Sequence, residues 1–440
     1  VKGLAGQLAC VHSKPYRKQV GLDTLLNIAK VCTCRCLLLA AWPWMPAPSS
    51  STWRPEDAVT DLPPTRIEVF GFDVAEISQI RRIRAMRDLG HEVHSFTMRR
   101  TNMNADFTPD WPDTHLYVTD NEKLARRAAV VAAAIVKTAR HRARLRDADV
   151  IFARNLDMLA IAWAARALTG ARAPLVYECL DIHGALTGQG IKSRAMRAAE
   201  RRLLAGCAML VVSSPGFIQH YFETVQGYSG PWAIWENKLA AGGPLPDRPV
   251  TRVPSKGPLR LGWVGTIRCA PSLELLTALA RAMGDAVEIH VHGIVHHHAA
   301  PGFDAAVAAH ENIFYHGEYA YPDDLARIYG GLDLVWAQDL WQPGENSDWL
   351  LPNRIYEASW AGCPSLAVAG TETGCRVADD GLGWTIDYPD PALLQNLLQS
   401  LTREDVTRRG QALLDRPEGD FVQMPEDVQA VITKVREGAA

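Results

Sequence analysis

The sequence predicts an α/β protein built from two doubly wound domains, each on a parallel sheet. Three observations carry this. Short apolar runs alternate with helix-period stretches from Arg66 to Asn237, and again from Leu259 onward, which is the pattern of successive βαβ units. Between the two series, residues 239–258 are rich in Gly and Pro and poor in apolar residues, as a linker is. A chain of 440 residues is long enough for two domains with a core each. The expected division is an extension at 1–62, a first domain at 63–238, the linker at 239–258 and a second domain at 259–440.

The first domain opens with a strand at 66–72. A helix follows at 75–89, where Ile77, Ile80, Ile83 and Met86 recur at helical spacing. Gly90 stops it, and strands at 91–98 and 115–118 lead into one long Ala- and Arg-rich helix at 122–146. A strand at 149–153, a helix at 156–168 and a strand at 174–178 come next, the last ending in CLDIHG. A basic helix at 191–205, a strand at 208–213, a helix opened by SPGF and a strand at 232–235 complete the series. The second domain reads as strands at 259–264, 287–292, 312–315, 332–336, 363–368 and 383–386. Its helices are at 272–283, 305–310, 322–329, 391–401 and 424–436. His296, His297 and His298 fall in a loop, where adjacent side chains diverge, so no metal site is expected there.

Residues 1–62 show no sustained period and crowd Pro and Ser toward their end. They read as a disordered extension, or as the result of a start upstream of the real one. Cys32, Cys34 and Cys36 form C-x-C-x-C without a second ligand pair at zinc spacing. Nine cysteines without framework spacing suit a reduced, cytoplasmic setting. No apolar run is long enough to span a bilayer. The net charge of −3 hides an asymmetry: residues 61–250 hold 25 Lys and Arg against 20 Asp and Glu, whereas 251–440 hold 14 against 26. A basic half suits either an anionic membrane surface or pyrophosphate-bearing acceptor, or only solvated helix faces. Nucleic acid is not an expected partner.

Ligands of doubly wound sheets bind beyond the carboxyl ends of the strands. In the first domain the polar residues there are Asp73, Asn155, Asp157, Glu178, Asp181, His183, Ser213, Ser214 and Asn237. No G-x-G-x-x-G follows the first strand, which disfavours a dinucleotide enzyme. In the second domain Gly265, Thr266 and Arg268 follow the first strand. The glycine permits close backbone approach and the arginine suits a phosphate, or else lies free on the surface.

The stretch 345–364, ENSDWLLPNRIYEASWAGCP, begins as a polar loop with Glu345, Asn346 and Ser347. Pro352 suits the first turn of a helix, Gly362 its C′ position and Pro364 its stop. A helix start offers unpaired N–H groups and a partial positive charge to a phosphate. Arg354 adds a cation, and Glu357 lies three residues on, along the same face. A carboxylate there can accept from two adjacent hydroxyls of a ribose or hexose. The set describes a nucleotide-sugar site, although the spacing also suits a surface helix whose Arg354 and Glu357 pair with each other.

The run PNRIYEASWAGCP resembles the P-N-K-x-Y-E-x-x-x-x-G-x-P signature of GT-B glycosyltransferases of the family 4 group, with Arg354 where Lys is usual. Together with VYECLDIHG, VVSSPGF and WENK, it looks most like the bacterial exopolysaccharide glycosyltransferases of the succinoglycan-assembly type. The resemblance implies two Rossmann-like domains facing each other across a cleft, the first on the acceptor side and the second on the donor side. It implies that Arg268 and Arg354 meet the diphosphate and that Glu357 holds the ribose. Gly265, Thr266, Gly317, Tyr319, Glu345, Asn346, Ser347, Pro352, Asn353 and Tyr356 would surround the donor. The family's earlier Glu, eight residues before Glu357, is replaced by Trp349 or displaced to Glu345. Any catalytic carboxylate would come from the first domain: Asp181, ahead of Glu178 and Asp157. The strand end 178–183 could equally shape an acceptor pocket.

The resemblance further implies a retaining transferase that needs no cofactor and no metal. Its donor would be a UDP- or GDP-sugar and its acceptor a lipid-linked oligosaccharide, on polyprenyl pyrophosphate. The enzyme would be cytoplasmic, at the inner face of the plasma membrane. Two alternatives stand beside it. One is a sugar-nucleotide 2-epimerase of the same fold, using Asp181, Glu178 and His183. The other is a non-catalytic sugar-nucleotide-binding partner of a larger assembly.

Overall fold

The structure is a computed structural model that describes residues 64–100, 107–119, 124–240 and 245–438. The expectations for 1–62, including the C-x-C-x-C run, lie outside the described residues. The first sheet consists of β1 (Arg66–Gly71), β2 (Glu92–Arg100), β3 (Asp113–Thr119), β4 (Val150–Arg154), β5 (Leu175–Cys179), β6 (Met209–Val212) and β7 (Trp232–Ile234). Its order is β3-β2-β1-β4-β5-β6-β7, with every pair parallel. A two-residue strand, β8 (Leu239–Ala240), leads on to the second sheet. That sheet consists of β9 (Leu259–Val264), β10 (Val287–His292), β11 (Ile313–Tyr315), β12 (Leu334–Trp336), β13 (Ser365–Val368) and β14 (Gly383–Ile386). Its order is β11-β10-β9-β12-β13-β14, again all parallel.

Helices cover both faces of each sheet, so the central strands are buried and largely apolar on both faces rather than alternating, with Glu68, Arg154 and Glu178 as buried charged exceptions. All five residues of β4 and of β5 are buried. Alternation sends Ile151 and Ala153 to one face, where they meet the helix Leu156–Thr169 through Leu159 and Ala162. Val150 and Phe152 go to the other face, where they meet Val428, Ile432 and Val435 of the last helix, Pro425–Glu437. That helix follows the second sheet in sequence but completes the core of the first. Just before it, β15 (Val422–Gln423) pairs in parallel with β8.

Several expected elements differ. The single helix at 122–146 is two, Leu124–Ala139 and Arg142–Asp147. At the break, the N–H groups of Arg140 and His141 bond back three residues, to Lys137 and Thr138, which tightens the last turn. The linker carries β8. The helices Glu372–Asp379 and Arg403–Leu414 were not expected, and the polar loop contains a turn of helix, Asn346–Trp349. The rings of His296 and His298 do not diverge but meet edge to face, 5.6 Å apart.

Candidate active site

The carboxyl ends of β9 and β12 and the helix Asn353–Trp360 converge. Beyond β9, Gly265 adopts φ +113°, a conformation that side-chain-bearing residues rarely adopt. A Cβ at that position would lie 3.8 Å from the Arg354 guanidinium, which donates to the Trp336 carbonyl at 3.3 Å. The helix begins at Asn353, so Pro352 is its N-cap rather than its first turn, and it supplies no side-chain acceptor. The Ile355 N–H bonds back to the Pro352 carbonyl at 3.2 Å, and the N–H groups ahead of it have no acceptor within the helix. Thr266 and Arg268 are exposed on the adjoining turn. Arg268 lies 3.8 Å from Asp339.

Asp339 is not among the residues expected from the sequence, although it follows β12 at a strand's carboxyl end, where the same rule would have found it. Its carboxylate accepts from the Trp341 N–H and the Ser347 hydroxyl, each at 2.7 Å. Ser347, 1% exposed, also accepts from the Gln342 N–H, so it braces the loop instead of facing a ligand. Tyr356 is likewise removed from the donor surface. It is 1% exposed and lies in the core with Val264, Val335 and Phe421, because its face of the helix points into the sheet. Gly317, at φ +79°, turns the chain after β11. Tyr319 lies near Glu357 and is half-buried. Burial and then the Glu357 charge raise its pKa, while Arg354 and Arg81 oppose the shift.

Glu357 is 6% exposed. One of its oxygens accepts from Arg81 at 2.8 Å and the other from the Tyr329 hydroxyl at 3.2 Å. Arg81 comes from the opposite half, in the helix Ile77–Asp88. Its guanidinium also donates to the carbonyls of Asn237 and Lys238, at 3.3 and 3.1 Å. It lies 4.5 Å from the centre of the Tyr321 ring. Glu357 thus pairs with a residue 276 positions away, not with Arg354.

The segment 345–349 bridges the two halves. The Asn346 amide donates to Asp181 at 3.1 Å and accepts from the Ile182 N–H at 2.7 Å. Glu345 accepts from the Thr187 hydroxyl. Trp349 takes a hydrogen bond on its carbonyl from Ser214 and stacks on His220, ring centres 5.8 Å apart. Gly216 makes this approach possible, since a Cβ there would lie 2.6 Å from the Trp349 oxygen. Asp181 keeps solvent access. The surrounding protein nevertheless raises its pKa by desolvation, with Arg268 and the Asn346 bond pulling the other way.

The remaining first-sheet residues divide. Glu178 is 1% exposed and fully engaged: Arg82 reaches one oxygen at 3.1 Å and Arg154 the other at 2.9 Å. It is a structural counter-ion, not a free carboxylate facing an acceptor. His183 caps the turn Gly184–Thr187 by accepting from the Ala185 N–H. Asn237 contributes its carbonyl to Arg81. Asp73 is fully buried, accepts from the Ala75 N–H at 3.1 Å and has its pKa raised by burial. Asn155 is the one non-glycine at positive φ among the described residues, at +72°. Such strain persists only where the surroundings hold it. Asp157 follows in the first turn of the next helix.

The fold is that of the GT-B glycosyltransferases. Residues 81–231 match the model of the glycosyl transferase 4-like domain. The chain is 36% identical over 324 residues to the succinoglycan biosynthesis protein ExoL of Rhizobium meliloti (strain 1021), covering 73% of this chain and 80% of that protein. Among solved structures it resembles HepE of Anabaena, in complex with UDP and glucose, with a TM-score of 0.59 and 14% identity over 84% of this chain and 99% of that one. It also resembles WaaG, a glycosyltransferase involved in lipopolysaccharide biosynthesis, with a TM-score of 0.58 and 16% identity over the same shares. The chain belongs to the glycosyltransferase family that includes this ExoL protein. No helix among the described residues is long and apolar enough to cross a membrane.

Proposed function

We propose that the enzyme transfers a sugar from a nucleotide-sugar donor to a saccharide carried on polyprenyl pyrophosphate, during assembly of a bacterial exopolysaccharide. The anomeric configuration is retained, and the departing diphosphate is stabilised by protein groups rather than by a bound metal. The observation that carries this reading is the convergence of Gly265, Arg354 and the opening of Asn353–Trp360 beside Glu357, with Asp181 opposite. Identity to the succinoglycan protein supports the polysaccharide assignment.

In this reading the diphosphate lies over Gly265 and Thr266. It takes hydrogen bonds from Arg354 and from the N–H groups at Asn353, with Arg268 closing over it. Fixed donors of this kind stabilise the charge that develops as the sugar–phosphate bond breaks. Glu357 accepts from the ribose diol, and Gly317 and Tyr319 flank the base. Glu345 and Asn346 reach the sugar. An acceptor hydroxyl attacks the anomeric carbon while the bond to the diphosphate breaks, and its proton passes to the departing phosphate. Asp181 accepts from that hydroxyl and aligns it. The basic first half, with Lys192, Arg194, Arg197, Arg201 and Arg202 on one helix, rests on the anionic inner membrane surface.

An epimerase would need Glu178 as a working group, but both its oxygens are held by arginines. The test is product analysis: nucleoside diphosphate should appear in step with acceptor consumption and not without acceptor. Release that ignores the acceptor would overturn the transferase reading.

A further inference from the structure

We propose that Arg81 is a positioning residue for the donor: it holds the Glu357 carboxylate ionised and aimed so that its remaining lone pairs meet the donor's ribose diol. This rests on Glu357 being the ribose acceptor. Each carboxylate oxygen can accept two hydrogen bonds. Arg81 and Tyr329 use one on each, which leaves one on each for two adjacent hydroxyls.

The groups facing Glu357 come from four places. Arg81 extends from Ile77–Asp88, Tyr329 from Leu325–Gly330, Tyr319 and Tyr321 from the loop before that helix, and Arg354 from Glu357's own helix. Burial raises all three phenols, Tyr321 to about 12, so none supplies or removes charge near neutrality. Arg354 is turned to the Trp336 carbonyl. Arg81 is therefore the cation in direct contact with Glu357.

Arg81 is itself fixed. Two carbonyls of the 237–238 segment and the Tyr321 ring hold its guanidinium in place, and its side chain is 8% exposed. A carboxylate as buried as Glu357 is driven toward its neutral form when the cation touching it is removed. The proton would then occupy a position that a ribose hydroxyl needs. Because Arg81 belongs to the first half, the donor site is complete only while the two halves meet at this point.

The experiment measures affinity for UDP and GDP by calorimetry from about pH 5.5 to 8.5, the range over which a raised carboxylate would titrate. The proteins are wild type, Arg81→Met, Arg81→Lys, Glu357→Ala and the double variant Arg81→Met/Glu357→Gln, each checked for folding by circular dichroism. Each variant is read as a ratio to wild type, which cancels the titration of the nucleotide itself. Arg81→Met should bind at least about tenfold more weakly at neutral pH. Its deficit should widen as the pH falls, because Glu357 takes up a proton. Arg81→Lys should recover part of the affinity and most of the flat profile, and the double variant should be weak with a flat ratio. Arg81→Met with wild-type affinity, with a pH-independent deficit or with tighter binding would overturn the proposal; so, if Arg81→Met does not fold, would an Arg81→Lys profile indistinguishable from wild type in both affinity and slope. Undiminished binding by Glu357→Ala would instead remove the ribose assignment.

Discussion

Replacing Glu178 with Ala should destabilise the protein without abolishing the chemistry of the molecules that remain folded. Arg82 and Arg154 converge on this carboxylate with side chains 6% and 1% exposed. Desolvation, with the Arg154 charge adding to it, pulls the Arg82 pKa down to about 10 despite the nearby Glu178 charge. Breaking a buried ion pair by deleting one partner costs about 3–5 kcal/mol, since the other charge stays buried. For a domain of about 150–250 residues this corresponds to roughly 6–20 °C in the melting midpoint. The assay is thermal melting by circular dichroism, paired with transfer activity per folded molecule, measured about 20–25 °C below that midpoint so that the folded state dominates. The sign of the pH dependence follows from the pKa. Burial pushes Glu178 up, but Arg154 and Arg82 pull it further down, so it lies below the usual carboxylate value. Its stabilisation is present above the unfolded value of about 4.3. It is lost as pH falls through the lower folded value, so the wild-type and Glu178→Gln melting curves should converge in acid. A melting midpoint within about 1 °C of wild type, or a loss of activity without a loss of stability, would refute the counter-ion role.

Three further outcomes are expected at the site. Arg354→Ala should lower kcat by about 10²–10³, the usual cost of one charge-stabilising donor, as measured by steady-state transfer. Gly265→Ala forces a side chain into φ +113° beside Arg354. It should cost about 1–3 kcal/mol of stability in denaturant titration and raise KM for the donor. Asp181→Asn should lower kcat at saturating donor while leaving nucleoside diphosphate affinity within about twofold, because the proposed mechanism places Asp181 on the acceptor and not on the donor.

Much of the fold was legible because strands buried on both faces read as apolar runs and the helices between them keep a clear period. The helix behind Pro352 was equally plain, since Gly362 and Pro364 mark its end. Other elements left no such mark. The helix Glu372–Asp379 contains Gly374 and sits between Gly370 and Gly381, so its glycines read as loop. Gly374 is there because a Cβ would lie 1.9 Å from the Val368 carbonyl oxygen. The helix Arg403–Leu414 is largely polar and buries only Val406, Gly410, Leu413 and Leu414. β8 is two residues long and is defined by its partner β15, far along the chain. At the site, sequence spacing brought out Arg354 and Glu357 on one helix face but left open whether they pair with each other. Their actual partners, Trp336 and Arg81, are set by tertiary packing. Glu178 and Asp181 look alike in sequence, three residues apart. Only the surroundings separate a buried counter-ion from a carboxylate open to the cleft.

In the proposed mechanism the second half binds a nucleoside diphosphate through Glu357 without a metal. Thermal shift with UDP, GDP, ADP and CMP, each with and without a divalent cation, tests it most directly, because a ligand bound only by the native state raises the melting midpoint by mass action. A shift is expected with one nucleoside diphosphate, unchanged by the cation and lost in Glu357→Ala. A shift that requires the cation, or one that survives in Glu357→Ala, would contradict that mechanism.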